Sequence, residues 1–193
     1  AYRRYPERIA ALVFVTAPFE TPLRTFYGRD VASLQSWIDR AIRLLPRPAS
    51  LLWRAAFLAH LPTTHRIAKF VRALGPDGRL EDMATYYRHL GMLDPLVLLK
   101  MAEAMHAHSG ADVLERVTVP ALVVTASLDM FSPPALGETM RERMPHAEHV
   151  EIAGAAHAAI VEKHEQVDAA VRRFLERVEG DQRRGTQRPT RRR

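Results

Sequence analysis

The chain has 193 residues, no cysteine, 47% apolar and 26% charged residues, and a formal net charge of +6. That is ordinary globular composition with enough length for a real core, so disorder of the whole chain, disulfides, zinc thiolate sites and cysteine nucleophiles are excluded. The charge is local: Asp181 to Arg193 holds six Arg and one Asp, whereas the remaining 180 residues hold 22 basic and 21 acidic groups. Of the basic residues 25 are Arg and three are Lys, which reads as codon bias.

In chain order, Ala1 to Arg8 reads as the end of a helix, and Ile9 to Val15 (IAALVFV) as a strand buried on both faces, the pattern of parallel sheets. Phe19 to Gly110 then contains no strand-like run. Val31, Leu34, Trp37, Ile38, Ala41, Ile42 and Leu45 recur at steps of three and four, which predicts a helix with Asp30 as N-cap and Pro46-Arg47-Pro48 as its stop. Further helices are predicted over about 51–61, after a Thr63 or Thr64 cap to Gly75-Pro76, over about 80–90, and from Asp94-Pro95, in the favoured N-cap and N1 order, to Gly110.

After Gly110 an α/β pattern returns. Pro120 to Ala126 (PALVVTA) predicts a buried strand, Ser132-Pro133 a cap for a helix closed by Pro145, and His149 to Ile152 a short strand. Gly154-Ala155-Ala156-His157 follows, then a helix to about Val178 ended by Gly180. Asp181 to Arg193 lacks apolar periodicity and is expected to be disordered. Alternating strands and helices imply parallel strands, with chemistry in the loops at their carboxyl ends. Two such loops carry polar residues, Ser127-Leu128-Asp129 and Gly154 to His157.

In this order and spacing the segments resemble the α/β-hydrolase fold superfamily. Tyr5-Pro6-Glu7-Arg8-Ile9-Ala10-Ala11-Leu12-Val13 is similar to the segment leading into that family's sixth strand. Val119 to Val124 with Asp129 resembles its seventh strand and acid. Gly154-Ala155-Ala156-His157, Glu162, Glu165-Gln166-Val167 and Phe174-Leu175 resemble its histidine loop and last helix, with acid and histidine 28 residues apart. The helical block sits where the family inserts a cap.

The resemblance implies a partial α/β-hydrolase fold: core segment 1–18, cap 19–110, core segment 111–178 and a disordered basic tail 179–193. It also implies His157 as general base and Asp129 as the carboxylate that orients it. Met130 and Phe131, beside the acid, are candidates for a substrate-binding wall. The family's elbow, G-x-S-x-G, does not occur in these residues. The chain therefore reads as a truncated hydrolase whose nucleophile, Ser or Asp, stands upstream. Ser109, Ser127 and Ser132 are better explained as a last helical turn, an acid-loop residue and an N-cap.

The expected activity is esterase-like hydrolysis of a small apolar substrate, in the cytoplasm, without cofactor, metal, nucleic-acid partner or membrane span. The fragment alone is expected to be inactive. The competing reading is a hydrolase-derived binding or scaffold protein without a complete triad. His106 and His108 point to nearly opposite helix faces, and His146 and His149 flank a turn, so neither pair reads as a metal site.

Overall fold

The computed structural model describes residues 1–20 and 32–186, without the side chains of 32–35, 38, 39, 106, 185 and 186. Three parallel strands form one sheet in the order β1 (Leu12–Val15), β2 (Ala121–Ala126), β3 (Ala147–Ile152). Leu12 pairs with Ala121, and Ala121 with Ala147, so all three start level. The N-terminal residues form turns and a 3₁₀ turn at Pro6–Arg8 rather than a helix end, because Pro6 has no N–H with which to carry a helical ladder on from the turn before it.

Every residue of β2 is buried, which accounts for its unbroken apolar run. Leu122, Val124 and Ala126 pack with Ile152 against Val167, Phe174 and Val178 of α9 (His164–Thr186). Ala121 and Val123 point the other way, onto Met140 and Met144 at α7 (Pro134–Arg143). A sheet held between two helices in this way fixes the loops that leave its carboxyl ends.

Between β1 and β2 lie only helices among the described residues: α1 (Ala32–Leu44), α2 (Pro46–Leu58), α3 (Leu61–Phe70), α4 (Leu80–Met92), α5 (Pro95–His106) and the single turn α6 (Ala111–Leu114). Asp94 caps α5 as expected, its Oδ1 accepting the Leu96 N–H at 2.9 Å. Other boundaries differ. α1 ends at Leu44, ahead of Pro46 as expected, but Pro46 also opens α2, earlier than the predicted start, since a proline at N1 gives up no helical hydrogen bond. The cap of α3 is His60, whose Nδ1 accepts the Thr63 N–H at 3.3 Å. The predicted Asp30 cap and Val31 fall outside the described residues.

The last helix also differs from expectation. It runs through Gly180 to Thr186, carried by the pairs Arg183–Glu179 and Arg184–Asp181 and by basic side chains in its final turn. Residues 187–193 of the expected tail lie outside the described residues. Several large apolar side chains of the helical block are exposed, Trp37 to 70% and Phe70 to 84%. Among the described residues no helix is long and apolar enough to cross a membrane.

Candidate functional site

Asp129 and His157 stand on loops at the carboxyl ends of β2 and β3, which are neighbours in the sheet. The two loops are zipped together beyond the strands. Ser127 N–H donates to the Ile152 carbonyl at 3.1 Å and Leu128 N–H to the Ala155 carbonyl at 2.8 Å. Gly154 N–H donates to Ser127 Oγ at 2.8 Å. Gly154 has φ +72, a conformation that a side chain would strain, and this turn sends the chain back toward the acid loop.

The Asp129 carboxylate is buried and accepts from three donors. Oδ1 takes the Phe131 N–H at 2.8 Å and the Ser132 N–H at 3.0 Å. Oδ2 lies 3.0 Å from Nδ1 of His157, with Oδ1 at 3.2 Å from the same nitrogen. Facing a carboxylate, Nδ1 carries the ring proton, so Nε2 is left with its lone pair for a reacting group.

Ser132, expected as an N-cap, does other work: the helix after it starts at Pro134 with no side-chain cap. Its Oγ–H donates to the Thr16 carbonyl at 3.1 Å, tying the end of β1 to the acid loop. Thr16 itself has φ 44, a left-handed conformation rare for a β-branched residue and the kind of local strain that gathers at functional sites. No periodicity or motif announced Thr16. The Asp-x-x-Ser spacing, an aspartate whose oxygen caps the N–H groups two and three residues on, was the available signal for Ser132.

His157 forms part of the wall of a cavity of about 540 Å³. The rest of the wall is mostly apolar and comes from α2 (Phe57), α3 (Ile67), α4 (Met83, Tyr87) and Val161 of the short helix that follows the histidine loop. Tyr87 is buried, and its OH lies 3.2 Å from Nδ1 of His65. Burial raises the Tyr87 phenol to about 12 and lowers His65 below its ordinary value, so both are neutral near pH 7.

Met130 and Phe131 do not belong to that wall. Met130 is buried, and the Phe131 ring, two residues after Asp129, packs on His157 with centroids 4.8 Å apart. His149 is structural. Its Nδ1–H donates to Glu138 at 3.1 Å and its Nε2 accepts from Thr125 Oγ1 at 2.8 Å, which pins α7 to the sheet. No group of three or more metal-ligating side chains occurs among the described residues.

The sequence profile of the alpha/beta hydrolase fold family matches residues 1–164. Among curated proteins none is significantly similar in sequence. A thermophilic esterase from Thermogutta terrifontis superposes with a TM-score of 0.65 at 21% identity, covering 92% of this chain and 59% of its own. An esterase from Exiguobacterium antarcticum gives 0.60 at 13% identity, covering 86% of this chain and 57% of its own. The enol-lactonase from Burkholderia xenovorans LB400 gives 0.54 at 18% identity, covering 90% and 58%. The chain thus spans under two thirds of the length of these neighbours, and at such identities they establish its fold. The chain belongs to the alpha/beta hydrolase fold family.

Proposed function

We propose that Asp129 and His157 are the acid and base of an ester-cleaving site whose nucleophile, a serine, stands outside these 193 residues. The observation that carries this reading is the Asp129–His157 hydrogen bond at 3.0 Å, formed at the carboxyl ends of two adjacent parallel strands and at the edge of an apolar cavity. In this scheme Nε2 of His157 takes the nucleophile's proton as its oxygen attacks the ester carbonyl. The proton then passes to the departing alkoxide, leaving an acyl-enzyme and an alcohol. Water attacks the acyl carbon, His157 takes its proton, and that proton returns to the nucleophile as the acid leaves. Asp129 keeps the ring in its Nδ1–H tautomer and stabilises the transient imidazolium.

Helices α1 to α5 act as a cap over the site, and the cavity volume falls in the range of small-molecule pockets. Its apolar wall favours an uncharged acyl or alkyl group. The test is the reading frame extended upstream through a G-x-S-x-G elbow, assayed on p-nitrophenyl esters and labelled with a fluorophosphonate. Labelling of the elbow serine, with turnover abolished by His157→Ala, is expected. Trapping of an ester on an elbow aspartate would replace the serine reading with the aspartate one. The absence of G-x-S-x-G from these residues favours a second reading, a non-catalytic binding protein. An extended frame that carries no elbow and hydrolyses no ester would establish it.

A further inference from the structure

Glu162 has no part in the scheme above, yet its carboxyl group is enclosed beneath the histidine loop. It lies at the end of α8 (Ala159–Glu162). Oε1 accepts the N–H of Ala156, the residue before His157, at 2.7 Å. Oε2 is buried, and the Gly75 N–H is directed toward the carboxyl group without meeting hydrogen-bond geometry at that oxygen. Gly75 belongs to the connection between α3 and α4. A Cβ placed there would overlap Oε2, and would sit 3.0 Å from Glu162 Cδ and 3.1 Å from the Ala156 nitrogen. Only a glycine lets this connection lie flat against the Ala156–Glu162 contact.

The same two segments meet on either side of that point. Ala158 N–H donates to the Ala73 carbonyl at 3.1 Å, and Lys163 pairs with Asp77. Burial pushes the Glu162 carboxyl above its ordinary range, with the Ala156 N–H pulling it back, so the molecule bears a desolvation cost here that a purely apolar contact would avoid.

We propose that Glu162 is a positioning residue for His157: its carboxylate grips the Ala156 N–H and, through its fit against Gly75, latches the α3–α4 connection onto the histidine loop. His157, Ala73 and Leu74 all line the same cavity, so the latch sets the imidazole and one side of the cavity wall together. This rests on the proposed role of His157, but the geometry can be read without any catalysis.

The experiment uses the 193-residue chain labelled with ¹⁵N-histidine, and the extended enzyme for turnover. Glu162→Ala removes the grip, Glu162→Gln keeps an oxygen for the Ala156 N–H, and Gly75→Ala pushes the carboxyl aside while leaving it present. In the unmodified chain the His157 ring spectrum should report the Nδ1–H tautomer. Glu162→Ala and Gly75→Ala should each shift it toward mixed tautomers, and Glu162→Gln should restore it. In the extended enzyme the first two should lower kcat by roughly tenfold to a hundredfold, the scale of a misplacement near 1 Å, with the Gln variant close to the parent. Should Glu162→Ala fail to fold, Gly75→Ala against Glu162→Gln decides. Unchanged His157 signals in both Glu162→Ala and Gly75→Ala would overturn the proposal. Shifted signals in an extended chain without esterase activity would leave the latch standing and remove the hydrolase reading.

Discussion

Replacing Asp129 separates its two roles, because Asn and Ala remove different hydrogen bonds. The carboxylate side chain is fully buried and satisfies two backbone donors, Phe131 N–H at 2.8 Å and Ser132 N–H at 3.0 Å, besides the imidazole. Asn retains Oδ1 for both donors and can still reach Nδ1, now as a donor itself. The expected stability loss is about 1 kcal/mol, the difference between a charged and a neutral acceptor. Its amide, however, selects the tautomer with the proton on Nε2, so the extended enzyme should lose about four powers of ten in kcat while binding substrate normally. Ala removes the acceptor for both backbone groups. An unsatisfied buried N–H costs about 1–3 kcal/mol, so the two together cost about 2–6 kcal/mol, toward the lower end because Phe131 is only half-buried. Urea unfolding of the 193-residue chain followed by circular dichroism measures the first quantity, and ester turnover the second. Asp129→Ala unfolding at the same urea concentration as the parent would refute the structural role. Asp129→Asn keeping its turnover within tenfold would refute the tautomer argument.

Three further outcomes follow from other parts of the molecule. Among the described residues β1 is paired on one side only, and Val13 is 38% exposed, so the chain should self-associate in sizing chromatography and Val13→Lys should reduce this; a monodisperse parent would sink the idea. Tyr87 should titrate near pH 12 in an absorbance titration at alkaline pH, silenced in Tyr87→Phe. Its folded value lies above the unfolded 10.0, so it lends stability below pH 10 that is lost as pH rises toward 12, about 3 kcal/mol in all. Truncation after Gly180 should leave the melting temperature within a few degrees, since Val178 is the last residue of the core cluster and the pairs beyond it are exposed; a loss of salt-sensitive RNA binding on truncation would show the tail to be functional.

What the sequence disclosed depended on whether the signal was local. Unbroken apolar runs marked β1 and β2, and a capping Asp-Pro pair marked the start of α5. Only β2 is buried along its whole length. β1, expected to be buried on both faces, has no fully buried residue and its Val13 is exposed, because among the described residues it pairs on one side only. Proline and glycine are ambiguous punctuation. Pro46 has the same letter whether it ends one helix or begins the next, and Gly180 costs a helix about 1 kcal/mol, which neighbouring ion pairs and a favourable terminus offset. Apolar periodicity showed that α1 has a face but not what meets it, and Trp37 is exposed. At the site, motif order pointed to Asp129 and His157, and the two side chains meet at 3.0 Å. Adjacency to Asp129 suggested a wall at Met130 and Phe131; neither lines the cavity beside His157, and the tight turn made by Asp129 Oδ1 with residues 131 and 132 leaves Met130 buried and the Phe131 ring on the imidazole. Glu162 was visible as a letter of the motif. Its partner Gly75 lies 87 residues earlier, a contact that no local pattern encodes.

The two site residues are therefore held by different parts of the fold. Asp129 is fixed by its own turn and, through Ser132, by the end of β1, all within the sheet core. His157 is 40% exposed at its side chain, and its loop answers to two neighbours. On one side are the backbone bonds to the acid loop, on the other the 73–77 connection held by Ala158, Glu162 and Lys163. A substitution that loosens the sheet should then disturb Asp129 and His157 alike. One confined to α3, α4 or their connection should move His157 and the cavity wall while Asp129 keeps its geometry. Paired measurements on Phe174→Ala, in the sheet core, and Gly75→Ala, in the connection, distinguish the two routes. The first should lower global stability by about 3–5 kcal/mol, and the second should change the His157 spectrum with little change in unfolding.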